Sequence, residues 1–151
     1  MTKIVLISCA SRKLNHKSNA QDLYISPLFQ KNLKYAKSLN PDKIFILSAK
    51  YGLLGLNKQI YPYNKTLNKM TSNEIREWAN LVLIQLQKVS DLNRHEFIFL
   101  AGNNYRKFLI CGNPHIKNYK IPMLGLGIGK FQKIKPHKQF LQYFRAYPEK
   151  L

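Results

Sequence analysis

Acidic residues are scarce in this sequence, and their shortage is its strongest compositional signal. Only 7 of the 151 residues are Asp or Glu, whereas 25 are Lys or Arg, so the formal net charge is +18. A genomic bias toward Lys, Asn and Ile would enrich Glu as well, so the lack of acids belongs to the protein itself. Because a strongly positive surface attracts polyanions, we expect nucleic acid, and DNA above all, as the partner. The ribosome or a membrane surface is the alternative.

Cysteine and long apolar segments are also rare. Cys9 and Cys111 are too few for a disulfide framework or a zinc site, so we expect no metal and no cofactor. No apolar run approaches the roughly 18 residues of a membrane span, and the first residues lack the features of a signal peptide. These absences predict a cytoplasmic protein without a membrane partner, and they leave the oligomeric state open.

The sequence does contain enough apolar residues for one folded domain. Hydrophobic residues make up 45% and aromatic residues 12% of the chain, which excludes a disordered protein. The length predicts a single domain over residues 1–151. Short apolar runs predict strands at 3–8, 43–48, 96–100 and 121–124. Helices are predicted after Pro27, after the capping box Thr71-x-x-Glu74, at 106–110 and around 140–144.

The order of these elements predicts an α/β fold. Strands and helices alternate along the chain, which is typical of a parallel sheet covered by helices on both faces. We therefore expect a three-layer α/β/α domain with a mainly parallel four-stranded sheet. Ligands of such sheets bind at the carboxyl ends of the strands. All four predicted strand ends lead into segments rich in small and polar residues, so we expect these segments to converge on one site.

One carboxylate is expected at that edge of the sheet. Asp22 lies in the loop that leaves the first strand, whereas the other acids fall at helix starts, on helix faces or at strand entrances. Asp22 is therefore the candidate general base, and Lys50, which follows the second strand, is a candidate for stabilising a departing anion. A capping role for Asp22 at the next helix is the alternative.

Cys9 also follows the first strand, where a nucleophile can be placed. No histidine is clearly paired with it in the sequence, and none of the 4 histidines has the spacing of metal ligands. We therefore interpret Cys9 as a small buried residue rather than as a nucleophile.

A glycine-rich segment follows the fourth predicted strand. It reads Gly125-x-Gly127-x-Gly129-Lys130, which departs from the Walker pattern and lacks the acidic ribose partner of a dinucleotide fold. Backbone N–H groups beside a lysine suit a nucleic-acid phosphate. Gly127, Gly129 and Lys130 are therefore predicted phosphate ligands, and a purely conformational role of the glycines is the alternative.

Tyrosines are concentrated in the predicted loops. Base stacking on exposed rings contributes roughly 1–3 kcal/mol per base, so these loops are predicted to bind bases. A tyrosine hydroxyl that caps a loop is the competing explanation. The predicted base-binding residues are Gln21, Tyr24, Ser48, Tyr51, Tyr63, Asn64, Asn103 and Tyr105.

Three segments of the sequence resemble a known family. They are Ser48-Ala-Lys-Tyr-Gly-Leu-Leu54, Ile60-Tyr-Pro-Tyr63 and Ala101-Gly-Asn-Asn-Tyr105. Together they resemble a bacterial, archaeal and phage family of small domains. They are similar to the peroxide-stress YaaA family, which has a Tyr-Gly turn, a Pro-Tyr pair and a run ending in Tyr at the corresponding places. The resemblance covers most of the chain.

The sequence also has a looser similarity to the uracil-DNA glycosylase superfamily. Gln21-Asp22-Leu23-Tyr24 matches the Gln-Asp-Pro-Tyr motif of that superfamily except at the proline. The motif lies further from its strand here, and residues 125–130 replace the final loop that carries a histidine in those enzymes. The resemblance implies a base-excision enzyme in which Asp22 positions water.

The sequence thus predicts a DNA-binding enzyme that hydrolyses the N-glycosidic bond of a modified or damaged base, in repair, phage defence or nucleic-acid modification. A base that leaves the duplex needs a stacking pocket and a rim that holds phosphate, and the predicted residues offer both. Two alternatives stay open: a non-catalytic nucleic-acid-binding protein, and an enzyme that cleaves free nucleosides or nucleotides.

Overall fold

The computed structural model describes residues 1–123, which form a mixed α/β architecture. The main sheet consists of β1 (Lys3–Ser8), β3 (Lys43–Ser48), β4 (Gly52–Gly55), β6 (Glu96–Leu100) and β7 (Tyr119–Lys120). A second, small sheet pairs β2 (Ser18–Asn19) with β5 (Gln59–Ile60). The helices are α1 (Ala20–Leu23), α2 (Pro27–Ser38), α3 (Ser72–Val89) and α4 (Asn103–Arg106), with a 3-10 turn at Leu67–Lys69.

The strands of the main sheet follow the order β4-β3-β1-β6-β7. The central strand β1 runs parallel to both neighbours, so that Val5 is paired with Ile44 on one side and with Ile98 on the other. β7 is parallel to β6, and only β4 is antiparallel to its partner β3. The expectation of a mainly parallel α/β sheet is confirmed, although the sheet has five strands rather than four.

The side chains of β1 alternate between two apolar clusters. Ile4 and Leu6 pack in the cluster that contains the buried residues of α3, whereas Val5 and Ile7 pack in the cluster that contains those of α2. All four side chains are fully buried. Because apolar residues of α3 pack with one side of β1 and those of α2 with the other, the strand needs no polar side, and this explains the continuous apolar run in its sequence.

Local signals in the sequence define both long helices. Pro27 occupies the first turn of α2, where its missing N–H costs no hydrogen bond. At the start of α3, Thr71 Oγ1 accepts a hydrogen bond from Glu74 N at 3.3 Å and donates one to Glu74 Oε1 at 3.1 Å. This is the predicted capping box. Over residues 1–123, the model contains no helix of the length and apolarity that a membrane crossing requires.

The short elements differ from the prediction. The turn-rich stretch after β3 contains β4 and β5, and the loop after β1 contains β2 and α1. The helix predicted at 106–110 is displaced to Asn103–Arg106, and the strand predicted at 121–124 is displaced to Tyr119–Lys120. Strands and helices of two to four residues depend on their tertiary partners more than on their own sequence. The helix predicted around 140–144 lies outside the described residues.

The chain leaves β1 and β6 toward opposite faces of the sheet. After β1 it continues into α2, whose Phe29 belongs to the cluster of Val5. After β6 it enters α4, whose Tyr105 belongs to the cluster of Ile4. Because β1 and β6 are neighbours, the two outgoing segments diverge and leave a crevice at the carboxyl edge. Open α/β sheets bind their ligands at such a topological switch point.

Two glycines at the ends of β4 should respond differently to substitution. Gly52 has a φ of +73°, and a Cβ at this position would collide with Gln85 Oε1, which accepts a hydrogen bond from Leu53 N at 2.8 Å. Gly52→Ala should therefore destabilise the protein by about 1–3 kcal/mol. A Cβ at Gly55 meets open space, so Gly55→Ala should change stability by less than about 0.5 kcal/mol. Equal urea midpoints for the two variants would contradict this prediction.

Candidate functional site

A pocket opens in the crevice between β1 and β6. Its cavity volume is about 350 Å³, which is at the lower end of the range for small-ligand sites. Three segments form it: the residues that follow β1, the loop before the 3-10 turn, and the start of α4. We call it the carboxyl-edge pocket, and its lining residues are Ser8, Cys9, Ala10, Ser11, Lys65, Thr66, Asn68, Gly102, Asn103, Asn104 and Tyr105.

Hydrogen bonds fix the three segments to one another. Asn104 Nδ2 donates to Asn68 Oδ1 at 2.9 Å, and Leu67 N donates to Tyr105 Oη at 3.4 Å. These two bonds hold the loop before α3 against α4. On the other wall, Cys9 N donates to the carbonyl oxygen of Leu47 at 3.0 Å, which extends the pairing of β1 with β3 by one residue. The walls of the pocket are therefore anchored to the sheet and to α4.

Cys9 and Tyr105 meet at the pocket. Cys9 Sγ donates a hydrogen bond to Tyr105 Oη at 3.5 Å, and the tyrosine ring packs edge-on against Trp78 with 5.6 Å between ring centroids. Burial raises the pKa of Tyr105 to about 12. Tyr105 therefore contributes a neutral hydroxyl group to the pocket at physiological pH.

Three further hydroxyl groups form a hydrogen-bonded chain next to Cys9. Ser48 Oγ lies 2.8 Å from Tyr63 Oη, which lies 2.7 Å from Tyr24 Oη. Ser48 and Tyr24 are buried, and Tyr63 is half-buried. We call Ser48, Tyr63 and Tyr24 the hydroxyl chain. Burial raises the pKa of both tyrosines above the ordinary value of 10.0, so both stay protonated.

The hydroxyl chain has three hydroxyl protons but only two hydrogen bonds between its members. Ser48 Oγ accepts hydrogen bonds from Tyr51 N at 3.0 Å and from Lys50 N at 3.3 Å. Because these bonds occupy both of its lone pairs, Ser48 donates its own proton to Tyr63. Three hydroxyl protons and two links leave one proton, on Tyr24 or Tyr63, without an acceptor among the described residues.

A lysine covers the tyrosines of the hydroxyl chain. Lys13 Nζ lies 4.4 Å from the ring centroid of Tyr63 and 5.7 Å from that of Tyr24, within the range of cation–π attraction. It also donates to the carbonyl oxygen of Ser11 at 3.3 Å. Burial lowers the pKa of Lys13, and the nearby Cys9 opposes this effect.

Two carboxylates lie at the opposite edge of the sheet. Asp42 accepts a hydrogen bond from Lys3 N at 2.7 Å, and Glu96 pairs with Lys120 at 3.6 Å, both at the amino edge, where β1 and β6 begin. Of the carboxylates in residues 1–123, none lines the carboxyl-edge pocket. Lys65 is the one charged side chain among the described residues that line the pocket, and its positive charge favours an anionic ligand.

A second depression adjoins the pocket across Lys65 and Thr66, which line both. It has a volume of about 380 Å³. Its remaining lining residues are Asn64, Lys69, Met70 and Glu74. We call it the adjoining groove.

The structure brings most of the predicted base-binding residues to the carboxyl edge. Asn103 and Tyr105 line the pocket, and Asn64 lines the groove. Three more of the predicted residues form the hydroxyl chain at this edge, namely Tyr24, Ser48 and Tyr63. Tyr24 and Tyr105 are 1% and 7% exposed, so their rings contact the core and offer no face to a base.

Other predicted residues lie outside the carboxyl-edge pocket. Asp22 is exposed on α1, and its neighbour Gln21 bonds to Asn57 Oδ1 at 2.8 Å. Lys50 is exposed, with its Nζ 5.2 Å from the ring centroid of Tyr51. Tyr51 in turn meets the Tyr63 ring edge-on, with centroids 5.6 Å apart. The predicted phosphate ligands Gly127, Gly129 and Lys130 lie outside the described residues.

Sequence reasoning missed several residues of this site. Cys9 lay at a predicted strand end, but its partner Tyr105 is 96 positions away and no spacing rule connects the two. Thr66 and Asn68 stand in a turn-rich stretch whose path across the pocket depends on tertiary contacts. Asn104 carried one usable signal, since it follows a predicted strand at the same edge as Asn103.

The pocket offers hydrogen-bonding groups and the ammonium group of Lys65 to a ligand. In residues 1–123, no group of His, Cys, Asp or Glu side chains is arranged to hold a metal ion. The amide groups at the pocket supply both donors and acceptors, and the hydroxyl groups supply donors. These groups suit a ligand with a polar planar edge and a negative charge.

Comparison with known proteins gives one match. The model of a family described as a family of unknown function, DUF6884, matches residues 4–135. No curated protein and no solved structure matches the chain.

The hydroxyl chain predicts a stability difference between two neighbouring tyrosines. Tyr63→Phe removes the central hydroxyl group and leaves Ser48 and Tyr24 without their partner, so it should cost about 1–3 kcal/mol. Tyr61 is 62% exposed, and Tyr61→Phe should cost less than about 0.5 kcal/mol. Urea unfolding measures both variants. If Tyr63→Phe were as stable as Tyr61→Phe, the hydroxyl chain would not contribute to folding.

Proposed function

The chain belongs to the DUF6884 family, and we propose that it binds nucleic acid, DNA above all, and holds one unpaired nucleotide in the carboxyl-edge pocket. One observation carries this proposal: the pocket at the switch point is polar, and no carboxylate of residues 1–123 lines it. The net charge of +18 supplies the attraction that such a site needs for a polyanion.

The lining of the pocket supports a nucleotide over other anions. Asn103 and Asn104 present side-chain amides, which match the donor and acceptor pattern of a base edge. Lys65 stands at the boundary with the adjoining groove and is available for a phosphate. An unpaired nucleotide offers both kinds of group, because its base edge is free of Watson–Crick pairing.

The adjoining groove supports a strand rather than a free nucleotide. It continues from the pocket across Lys65 and Thr66, and it holds a second cation, Lys69, beside one carboxylate, Glu74. A single strand that leaves the pocket in this direction would keep its backbone next to both lysines. Proteins that hold single strands use a positively charged groove that follows the backbone.

Base excision remains a prediction of the sequence, and the geometry favours the binding function over it. Asp22, the carboxylate that the similarity to uracil-DNA glycosylases implies, is exposed on α1 and does not line the pocket. We also propose a likeness to the YaaA family, a three-layer arrangement and a cytoplasmic location. The sequence left binding without catalysis as an alternative. This function requires only the residues that lie together at the carboxyl-edge pocket.

Binding assays with charge-matched variants test the proposal. Affinity for a fluorescent single-stranded oligonucleotide should fall by orders of magnitude between about 50 and 200 mM salt. Lys65→Ala should weaken binding severalfold and lower the salt slope by about one unit. Asn103→Ala should weaken binding about tenfold or more at every salt concentration, because it removes a contact to the base.

Lys88→Ala is the matched control, since Lys88 is exposed in the last turn of α3, away from the pocket. It removes the same charge as Lys65→Ala and should change affinity less. Equal losses for Lys65→Ala and Lys88→Ala, together with no effect of Asn103→Ala, would show that the pocket is not the binding site.

A further inference from the structure

Two segments of the chain run side by side between the small sheet and the carboxyl-edge pocket. At one end, β2 pairs antiparallel with β5, so that Ser18 lies opposite Ile60. At the other end, Ser11 and Lys65 both line the pocket. The loop after β1 therefore leaves the pocket beside the segment that follows β5 and leads back to the pocket.

Lysines of the first segment lie over tyrosines of the second. Lys17 Nζ lies 5.3 Å from the ring centroid of Tyr61, and Lys13 Nζ lies 4.4 Å from that of Tyr63. Both distances fall within the range of cation–π attraction. The two pairs follow one another from the small sheet to the pocket, in the antiparallel order of the two segments. We call Lys13, Lys17, Tyr61 and Tyr63 the Lys–Tyr ladder.

One ring of the Lys–Tyr ladder is open to solvent. Tyr61 is 62% exposed, the largest exposed fraction among the tyrosines of residues 1–123. Tyr63, in contrast, is half-buried, and its hydroxyl group belongs to the hydroxyl chain. Tyr61 is therefore the ring of the ladder that a ligand can contact.

The two segments carry positive charge and no acidic residue. Residues 9–19 and 57–66 contain no Asp or Glu, and the next acid along the chain is Asp22 on α1. Their cationic side chains are Arg12, Lys13, Lys17, Lys58 and Lys65. An exposed ring among cations suits a nucleotide, because the base stacks on the ring while the phosphate is attracted to the positive charge.

We propose that Tyr61, beside Lys17, stacks on a second base of the bound strand. This inference rests on the proposed function, since the nucleotide in the pocket fixes the strand at one end of the ladder. Tyr61 precedes Lys65 by four residues, so their Cα atoms are at most about 14 Å apart. A strand advances about 3.4 Å per nucleotide when its bases are stacked, so about four nucleotides or fewer extend from the pocket to the ring.

The Lys–Tyr ladder and the adjoining groove thus extend the pocket along different stretches of the chain. The groove follows the chain from Lys65 toward Lys69, whereas the ladder follows it back toward Tyr61. Every base has a π-face, so stacking on Tyr61 adds affinity without a strong sequence preference. Base preference is then set in the pocket, where side-chain amides meet the base edge.

Photocrosslinking and binding test this inference together. The intact protein is mixed with a single-stranded thymidine oligonucleotide in which iodouracil replaces one thymine at a time. Irradiation links iodouracil to an aromatic ring that stacks on it, and peptide mass mapping identifies the residue. We expect a crosslink at Tyr61. By fluorescence anisotropy, Tyr61→Ala should bind the strand at least about fivefold more weakly, whereas Tyr61→Phe should bind like the parent chain, because stacking uses the ring and not the hydroxyl group.

Tyr119→Ala is the matched control. Tyr119 is 40% exposed, but it lies in β7 opposite Phe97, near the amino edge of the sheet. This variant should bind like the parent chain, and circular dichroism verifies that each variant is folded. No loss for Tyr61→Ala, equal losses for Tyr61→Ala and Tyr61→Phe, or the absence of a crosslink at Tyr61 would each overturn the inference.

The Asn103→Ala variant separates this inference from the proposed function. Weakened binding by Asn103→Ala with full binding by Tyr61→Ala would overturn the contact at Tyr61 alone. Weakened binding by Tyr61→Ala with full binding by both Asn103→Ala and Lys65→Ala would overturn the pocket as the nucleotide site, while the contact at Tyr61 would stand. No binding by the parent chain would overturn both.

Discussion

The burial of β1 on both faces and along both edges is the constraint on which the rest of the structure depends. Residues from Ile4 to Ile7 have no exposed surface, and their side chains alternate between the cluster that contains α3 residues and the cluster that contains α2 residues. The segment after β1 takes one face and the segment after β6 takes the other. A crevice opens where they diverge, at the edge that carries few acids. The location of the site thus follows from the way the core is covered.

Polar groups next to that crevice are ordered because they are buried. Trp78 Nε1 donates to the carbonyl oxygen of Ser48 at 2.8 Å, which ties α3 to the end of β3. On the other side of Ser48, the hydroxyl chain reaches Tyr24. Breaking a hydrogen bond to a buried hydroxyl group is costly, so the network favours this one arrangement. The core that stabilises the fold therefore also positions the groups that face Lys13 and Cys9.

The sequence predicts those parts of the structure whose signals are local. The apolar runs of β1, β3 and β6, Pro27 and the Thr71 capping box specify the main elements, and the strand-end rule locates the edge of the site. β4 escapes prediction and β7 is displaced from its predicted position, because such short strands exist only through pairing with β3 and β6. Asp22 looked catalytic from its position after a strand, but α1 leaves it exposed. The meeting of Cys9 with Tyr105 depends on contacts between loops that no local pattern contains.

A crystal structure of the protein with a short single-stranded oligonucleotide tests the central claim most directly. The account predicts one base inside the carboxyl-edge pocket, with its polar edge at hydrogen-bonding distance, about 3 Å, from Asn103 or Asn104. It also predicts the adjacent phosphate at Lys65. An oligonucleotide bound at the amino edge of the sheet, with the pocket free of any nucleotide, would contradict the account.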